Sequence, residues 1–152
     1  MKRLLLQVDG TPGQPPRGVA GLGIVVRDLA GVVLAWSCER APATTNNEAE
    51  YLAVIAGLNF VMQRYPGAHV RCLTDSRVVV EQLAGRNAVR AAVLQPLYIR
   101  ARTLAHQYGR VTFIAIPREL NRLADALAWE ALDGRGWLAR VGSDLRQSSS
   151  VQ

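Results

Sequence analysis

Short apolar runs near the N-terminus predict three β-strands. The run Leu4 to Val8 ends at Asp9-Gly10, just before a stretch rich in proline and glycine. The runs Ala20 to Arg27 and Val32 to Cys38 follow, separated by the turn-forming residues Asp28 to Gly31. The pattern therefore predicts an antiparallel meander whose first strand ends at an aspartate.

From Thr45 onward the spacing of apolar positions becomes helical. A first helix is predicted from Thr45 to about Arg64, with Thr45 or Asn46 as its N-cap. The elements predicted after it are a strand at His69–Thr74, a helix at Arg77–Leu83, a helix at about Leu94–Gln107, a strand at Val111–Ile116 and a helix from Asn121 to about Leu132. Glycines at 134 and 136 end the last helix.

This order of elements predicts an α/β domain. Three meandering strands followed by two strands alternating with helices give a five-stranded mixed sheet, with an antiparallel half, a parallel half and flanking helices. In such sheets functional sites form beyond the strand ends. We expect one catalytic domain over residues 1–133 and a tail, expected to be flexible, over residues 134–152.

Composition narrows the class of protein. A chain of 152 residues can bury a stable core in one domain, and no apolar stretch approaches the ~18 residues that a membrane span needs. The apolar run at the N-terminus is too short for a signal peptide. The two cysteines, Cys38 and Cys72, have no metal-ligand spacing, so we expect free thiols and a soluble, cytoplasmic protein.

The charge favours a polyanionic partner. The formal net charge is +6, and each phosphate that a basic side chain neutralises releases condensed counterions. Lys2 is the only lysine among the 18 basic residues. Arginine suits bidentate phosphate contacts, and the codon bias of a GC-rich genome explains the excess equally well.

Four of the 12 acidic residues occur at the starts or ends of predicted elements, at Asp9, Glu50, Asp75 and Asp125. If the first and fourth strands are neighbours, Asp9 and Asp75 lie close together, and both helix acids can point to the same spot. Carboxylates gathered in this way repel each other unless a cation lies among them. Such hard oxygen ligands select Mg²⁺ or Mn²⁺, and pairs of these ions about 4 Å apart serve phosphodiester hydrolysis.

The same residues carry a resemblance to the type 1 ribonuclease H family over about residues 3–133. The matching segments are Val8-Asp9-Gly10, Thr45-Asn46-Asn47-Glu48-Ala49-Glu50-Tyr51, Leu73-Thr74-Asp75-Ser76 and Asn121-Arg122-Leu123-Ala124-Asp125-Ala126-Leu127-Ala128. The resemblance implies a ribonuclease H-like fold and an endoribonuclease that cuts the RNA strand of RNA/DNA hybrids, leaving 5′-phosphate and 3′-hydroxyl ends. It selects Glu50 rather than Glu48, and with it Asp9, Asp75 and Asp125, as catalytic ligands of two Mg²⁺ ions, which Mn²⁺ could replace.

The resemblance also implies substrate contacts. Asn46 and Asn47 would lie in the minor groove near bases and 2′-hydroxyls, which is how a protein distinguishes RNA from DNA. Thr45 would help to hold a phosphate of the DNA strand. The remaining residues assigned to substrate binding are Gly10 and Thr11, whose backbone would approach the RNA, Arg77, which reaches a phosphate or is an ordinary arginine on a helix surface, and Asn121.

Two departures from the family pattern place the chain nearer a short archaeal and bacterial branch. Many members have a histidine in the loop before the last aspartate, where this chain has Arg118 and Glu119 as substitutes. The two histidines of the chain, His69 and His106, are interpreted as structural. The basic protrusion of some members is missing, since only Arg86 and Arg90 are basic between Gly85 and Leu94, so modest substrate affinity is expected.

Two alternative functions remain. The same fold could also act on double-stranded RNA, or it could be a non-catalytic module that binds hybrid or RNA. The Asn46-Asn47 pair favours the reading of an RNA minor groove, and the intact set of four acids argues against an inactive copy. We expect a monomer that binds RNA/DNA hybrid and does not interact with a membrane.

Overall fold

The predicted strands and helices are all present, with small differences at their ends. The structure is a computed structural model that describes residues 2–13 and 18–133. The strands are β1 (Arg3–Thr11), β2 (Val19–Arg27), β3 (Val33–Pro42), β4 (His69–Thr74) and β5 (Val111–Ala115), and the helices are α1 (Asn46–Arg64), α2 (Arg77–Leu83), α3 (Gln95–Tyr108) and α4 (Arg122–Asp133). The predicted tail at 134–152 lies outside the described residues. No helix in the described ranges is long and apolar enough to cross a membrane.

The sheet has the strand order β3-β2-β1-β4-β5. β1 pairs antiparallel with β2, and β2 with β3, which forms the predicted meander. β1 pairs parallel with β4, and β4 with β5, so the predicted mixed sheet is confirmed. The chain passes through β2, β3 and α1 between β1 and β4, and through α2 and α3 between β4 and β5, so each parallel pair has the long crossover that it requires.

Two strands are longer than predicted because their pairing continues past the apolar run. β1 extends to Thr11, which pairs with Gly21, so Asp9 lies inside the strand rather than after it. β3 extends to Pro42, which pairs with Val19. Two short 3-10 helices, Ala92–Leu94 and Arg118–Leu120, were not predicted.

The alternation of side chains along the strands divides the core between two helical layers. Leu4, Leu6 and Val8 of β1 are buried in the cluster that contains the apolar face of α1. On the opposite face Val25 packs against Leu127 of α4. The sheet therefore lies between α1, which also contacts α3, on one side and α4 on the other.

α4 approaches the sheet closely because β2 has glycines beneath it. A Cβ atom on Gly23 would lie 1.9 Å from the backbone oxygen of Ala124, and one on Gly21 would lie 1.9 Å from that of Ala128. No side chain fits in this space, so the glycine spacing of two on β2 determines how near α4 lies to β1. This proximity matters because α4 carries Asp125.

The close packing predicts a large loss of stability in Gly23→Ala. The added methyl group must push α4 away, and overpacking of this kind costs about 1–3 kcal/mol of unfolding free energy. Urea denaturation measures the change. The control is Gly31→Asn, since Gly31 has a φ of 90° and no heavy atom within 4 Å of its Cβ position, and asparagine tolerates this backbone region. Equal stability of Gly23→Ala and the wild type would contradict the packing argument.

Candidate active site

Two neighbouring parallel strands bring Asp9 and Asp75 together. The register pairs Gln7 of β1 with Leu73 of β4, and each aspartate lies two residues further along its strand. Asp9 is buried, with 6% of its surface exposed, whereas Asp75 is half-buried. The condition under which the sequence brings the two aspartates together, that the first and fourth strands are neighbours, is therefore met.

Glu50 joins them from the first turns of α1. Thr45 is the N-cap, and its Oγ1 accepts a hydrogen bond from Glu48 N at 3.2 Å. The Glu48 carboxylate in turn accepts a hydrogen bond from Thr44 N at 3.1 Å, so it closes a reciprocal cap of the helix start. With the helix start fixed in this way, oxygens of Asp9, Glu50 and Asp75 lie within 4.8 Å of one another.

Gly10 connects α1 to the cluster. Its N–H donates to Glu50 Oε1 at 2.8 Å, and a Cβ atom at this position would lie 2.0 Å from the backbone oxygen of Ala49. Gly10 is also buried. The backbone of α1 therefore requires a glycine at this position, and the expected approach of the Gly10 backbone to RNA stays a prediction.

Asp125 approaches Asp9 from α4, on the other side of the sheet. It lies in the first turn of α4 and is near enough to Asp9 for a hydrogen bond between the two carboxyl groups. It is not part of the compact cluster of Asp9, Glu50 and Asp75. The four predicted acids are thus brought together as three close carboxylates with the fourth beside Asp9.

Two buried amide side chains, those of Gln7 and Asn121, hold the start of α4 against β1, and sequence reasoning missed this role. We call this pair the amide bracket. Asn121 Nδ2 donates to Val8 O at 2.9 Å, and Gln7 Nε2 donates to Leu120 O at 2.8 Å. Gln7 Oε1 accepts from Arg27 Nε at 2.6 Å. Asn121 is only 1% exposed, so the predicted contact of its side chain with substrate is corrected to a structural role beside Asp9.

Burial and mutual repulsion make the acids difficult to ionise. Burial, followed by the charge of Glu50, raises the pKa of Asp9 from 3.8 to about 10. Burial is also the main cause that raises the pKa of Glu50 from 4.5 to about 7, and the Gly10 N–H opposes it. A cation among these groups would reverse both effects.

The residues fit a divalent metal ion on chemical grounds. Carboxylate oxygens from three residues converge, and no basic side chain among the described residues is buried beside them. Hard oxygen donors of this kind are what Mg²⁺ and Mn²⁺ select. Asp9, Glu50 and Asp75 would hold such an ion, with Asp125 next to Asp9 as a further ligand.

A groove of about 830 Å³ opens at the cluster, and several predicted contacts line it. Asn46, Asn47 and Arg77 lie along it with Glu50 and Asp75. Arg86 also lines it, and the Glu81 carboxylate holds its guanidinium through bonds of 2.7 and 3.1 Å.

The other predicted residues lie near the groove in different roles. Thr45 is exposed but already caps α1, and Thr11 is half-buried at the end of β1, where its Oγ1 accepts from Gly13 N at 3.3 Å. Arg118 lines the groove, with Nε 3.6 Å from Asp75 Oδ2 and 87% of its side chain exposed. Its neighbour Glu119 is exposed on the 3-10 helix Arg118–Leu120.

Comparison with known proteins agrees with this geometry. A family model described as reverse transcriptase-like matches residues 7–131. The chain is 34% identical over 125 residues to ribonuclease HI of Halobacterium salinarum, covering 82% of the chain and 62% of that protein. It is 37% identical over 144 residues to a bifunctional protein of Mycobacterium tuberculosis, covering 93% of the chain and only 39% of that protein.

Solved structures show the same likeness. The crystal structure of the Halobacterium salinarum RNase H1 has a TM-score of 0.81 and 32% identity, with 87% of this chain and 98% of that chain covered. The N-terminal RNase H domain of the Mycobacterium tuberculosis protein has a TM-score of 0.79 and 36% identity, with coverage of 91% and 99%. LC11-RNase H1, solved in complex with RNA/DNA hybrid, has a TM-score of 0.80 and 29% identity, with coverage of 87% and 98%.

A mixed five-stranded sheet with carboxylates clustered where β1 and β4 lie side by side defines a nuclease-type α/β fold. The chain belongs to the type 1 ribonuclease H family. It spans about 39% of the length of its mycobacterial relatives, which are therefore larger proteins that contain a comparable domain.

The raised pKa values predict that the metal-free protein loses stability as pH increases. Asp9 and Glu50 ionise near pH 4 in the unfolded chain but only at higher pH in the folded protein, so the folded state is penalised from about pH 4 upward. Asp9→Asn should therefore increase the unfolding free energy at pH 8 in chelator by at least about 1 kcal/mol, and the gain should shrink toward pH 4.

Denaturant titrations at several pH values measure this difference. Asp28→Asn is the control, because the Asp28 carboxylate only accepts bonds from Ala30 N and Val32 N in an exposed turn. A stability difference between Asp9→Asn and wild type that does not change with pH would count against repulsion within the cluster.

Proposed function

We propose that the chain is a metal-dependent endoribonuclease that hydrolyses the RNA strand of RNA/DNA hybrids and leaves 5′-phosphate and 3′-hydroxyl ends. The observation that carries this proposal is the convergence of Asp9, Glu50 and Asp75, with oxygens within 4.8 Å, in a fold shared with RNase H1 enzymes. The complex of LC11-RNase H1 with RNA/DNA hybrid supports the choice of substrate. The catalytic domain would lie within residues 1–133 and act as a cytoplasmic monomer.

The carboxylates would hold two Mg²⁺ ions, or Mn²⁺ in their place. Bound there, the ions would supply an activated water and neutralise charge on the leaving oxygen. The role of the protein is to fix the donors in advance: the Gly10 N–H orients Glu50, and the amide bracket places Asp125 beside Asp9. The phosphate oxygens of the substrate would complete the ligand set.

The groove would select the substrate. Asn46 and Asn47, at the start of α1, would donate and accept hydrogen bonds in the minor groove, where the 2′-hydroxyls distinguish RNA from DNA. Arg77 would contact a phosphate of the strand that is cut, and Thr45 and Thr11 would approach the backbone at either side.

Arg118 would take the role that a loop histidine plays in other members. Its guanidinium lies beside Asp75 yet is 87% exposed, so it can turn from the carboxylate toward a phosphate oxygen. Since arginine keeps its proton at neutral pH, its contribution would be charge and a hydrogen bond rather than proton transfer. Glu119, its exposed neighbour, remains the other auxiliary candidate.

The central experiment is cleavage of an end-labelled RNA/DNA hybrid beside matched double-stranded RNA and double-stranded DNA, with Mg²⁺, Mn²⁺ or chelator. We expect cutting of the RNA strand of the hybrid only with metal, and a rate at least about a hundredfold lower in Asp9→Asn. Asp28→Asn is the matched control. Equal cutting of double-stranded RNA would widen the substrate class, and binding without cutting would instead indicate a non-catalytic module.

A second prediction concerns Arg118. In Arg118→Ala, kcat on hybrid should fall about tenfold with little change in KM, the effect of losing one hydrogen bond to a charged group. Arg118→Lys should recover part of the rate. Arg122→Ala, which removes an exposed arginine from the start of α4, is the control. An unchanged kcat in Arg118→Ala would remove Arg118 from the mechanism.

A further inference from the structure

The described helices cover one face of the sheet only in part. α4 packs across β1, β2 and β3, and on that face alternate residues of β4 and β5 remain exposed, among them Arg71, Thr112 and Ile114. Their neighbours Cys72 and Phe113 point the other way, into the core beneath α1. In the part of the chain that the structure describes, a strip of sheet beside α4 is therefore open to solvent.

Basic side chains gather at the end of this strip farthest from the acids. The register pairs Arg3 with His69 and places Arg71 one row further along the same face. Arg110 precedes β5, with Nη1 2.6 Å from His69 Nε2, and because a guanidinium can only donate, this ring nitrogen accepts. We call Arg3, His69, Arg71 and Arg110 the basic patch.

The basic patch borders a cavity of about 510 Å³. Among the described residues that line this cavity there is no carboxylate. Arg3 and Arg71 thus face the same cavity with no carboxylate among its described lining residues, an arrangement that suits a polyanion.

We propose that the basic patch binds the phosphate backbone of a single strand that extends beyond the hybrid being cut. This proposal rests on the proposed function, because the hybrid held at the acids brings such a strand close at high effective concentration. The ligand class is single-stranded nucleic acid, recognised through its phosphates and without regard to sequence.

The open strip connects the patch to the acids. On β4, His69, Arg71 and Leu73 share a face with Asp75, and six residues of strand at about 3.3 Å each span roughly 20 Å. Leu73 pairs with Ile114, which is 39% exposed, so the middle of the strip offers apolar surface to unstacked bases. A strand leaving the acids along β4 would therefore meet apolar side chains first and arginines afterwards.

A nucleic acid fits better than an acidic protein segment. The guanidinium group of arginine can donate two parallel hydrogen bonds to one phosphate. The strip also leads directly to a site that would hold nucleic acid. An acidic protein segment has no comparable reason to follow the strip, because the site at its other end would hold nucleic acid and not protein. The two partners are separated by the test below.

The test measures affinity for a short blunt hybrid and for the same hybrid with a single-stranded overhang of about ten nucleotides on each end in turn. The protein carries Asp9→Asn so that the hybrid is not cut, and fluorescence anisotropy is read across a range of salt concentrations. The patch variant is Arg3→Gln with Arg71→Gln. The control is Arg64→Gln with Arg100→Gln, which removes the same charge from exposed positions on α1 and α3.

We expect one overhang polarity to bind at least about fivefold more tightly than the blunt hybrid, and the patch variant to lose this gain while the control keeps it. The slope of log affinity against log salt should fall by about 1.4 in the patch variant, for two lost contacts at about 0.7 each. With Asp9 restored, the patch variant should cut blunt hybrid at the wild-type rate.

The proposal is overturned if the gain survives in the patch variant, if the control loses it equally, or if polyglutamate competes as well as single-stranded oligothymidylate. Binding of free oligothymidylate provides a separate readout. If the protein binds single strands through the patch but cuts no hybrid, the proposed function is rejected and the binding role of the patch is retained. If it cuts hybrid but shows no patch-dependent binding, the binding role is rejected and the proposed function is retained.

Discussion

The parallel pairing of β1 with β4 is the constraint on which the site depends. It places Asp9, within β1, beside Asp75, directly after β4, so two like charges face each other before either helix contributes. Glu50 adds a third, and burial raises the pKa of Asp9 and of Glu50. The fold holds an arrangement that is unfavourable by itself, and the apolar core around Leu6 and Val8 supplies the stability that offsets it.

The other two acids, Glu50 and Asp125, come from helices on opposite faces of the sheet, so the packing of these helices determines the geometry of the site. α1 can approach because Gly10 has no side chain, and α4 can approach because Gly23 has none. Asn121 then fastens α4 to the backbone of β1 one residue before Asp9. A change that moved either helix outward by an ångström would disturb the carboxylates as directly as a substitution among them.

Much of the fold and of the placement of the acids could be predicted from the sequence, because the patterns that indicate them are local. Strand alternation, the turn at Asp28 to Gly31 and the position of each acid relative to an element end are all readable within a few residues, and they were sufficient to predict the mixed sheet. The adjacency of β1 and β4 entered the sequence analysis only as a condition, because strand order is not a local property. The extensions of β1 and β3 were missed because they depend on what lies opposite, not on their own composition.

The parts that could not be predicted are the contacts between distant segments. Asn121 bonds to Val8, 113 positions away, so its burial has no local signature, and it was assigned to substrate instead. The packing role of Gly10 was missed for the same reason, because the atom that it accommodates belongs to Ala49. The basic patch likewise exists only because the register aligns Arg3 with His69.

The most direct test of the central claim, that the clustered carboxylates are a cation site, is calorimetric titration of Mn²⁺ at neutral pH in two buffers of different ionisation enthalpy. The account predicts that Mn²⁺ binds with release of protons, because groups whose pKa is raised must ionise to become ligands, and that both the binding and the proton release are largely lost in Glu50→Gln. Undiminished Mn²⁺ binding in Glu50→Gln, or binding with no proton release in the wild type, would contradict it.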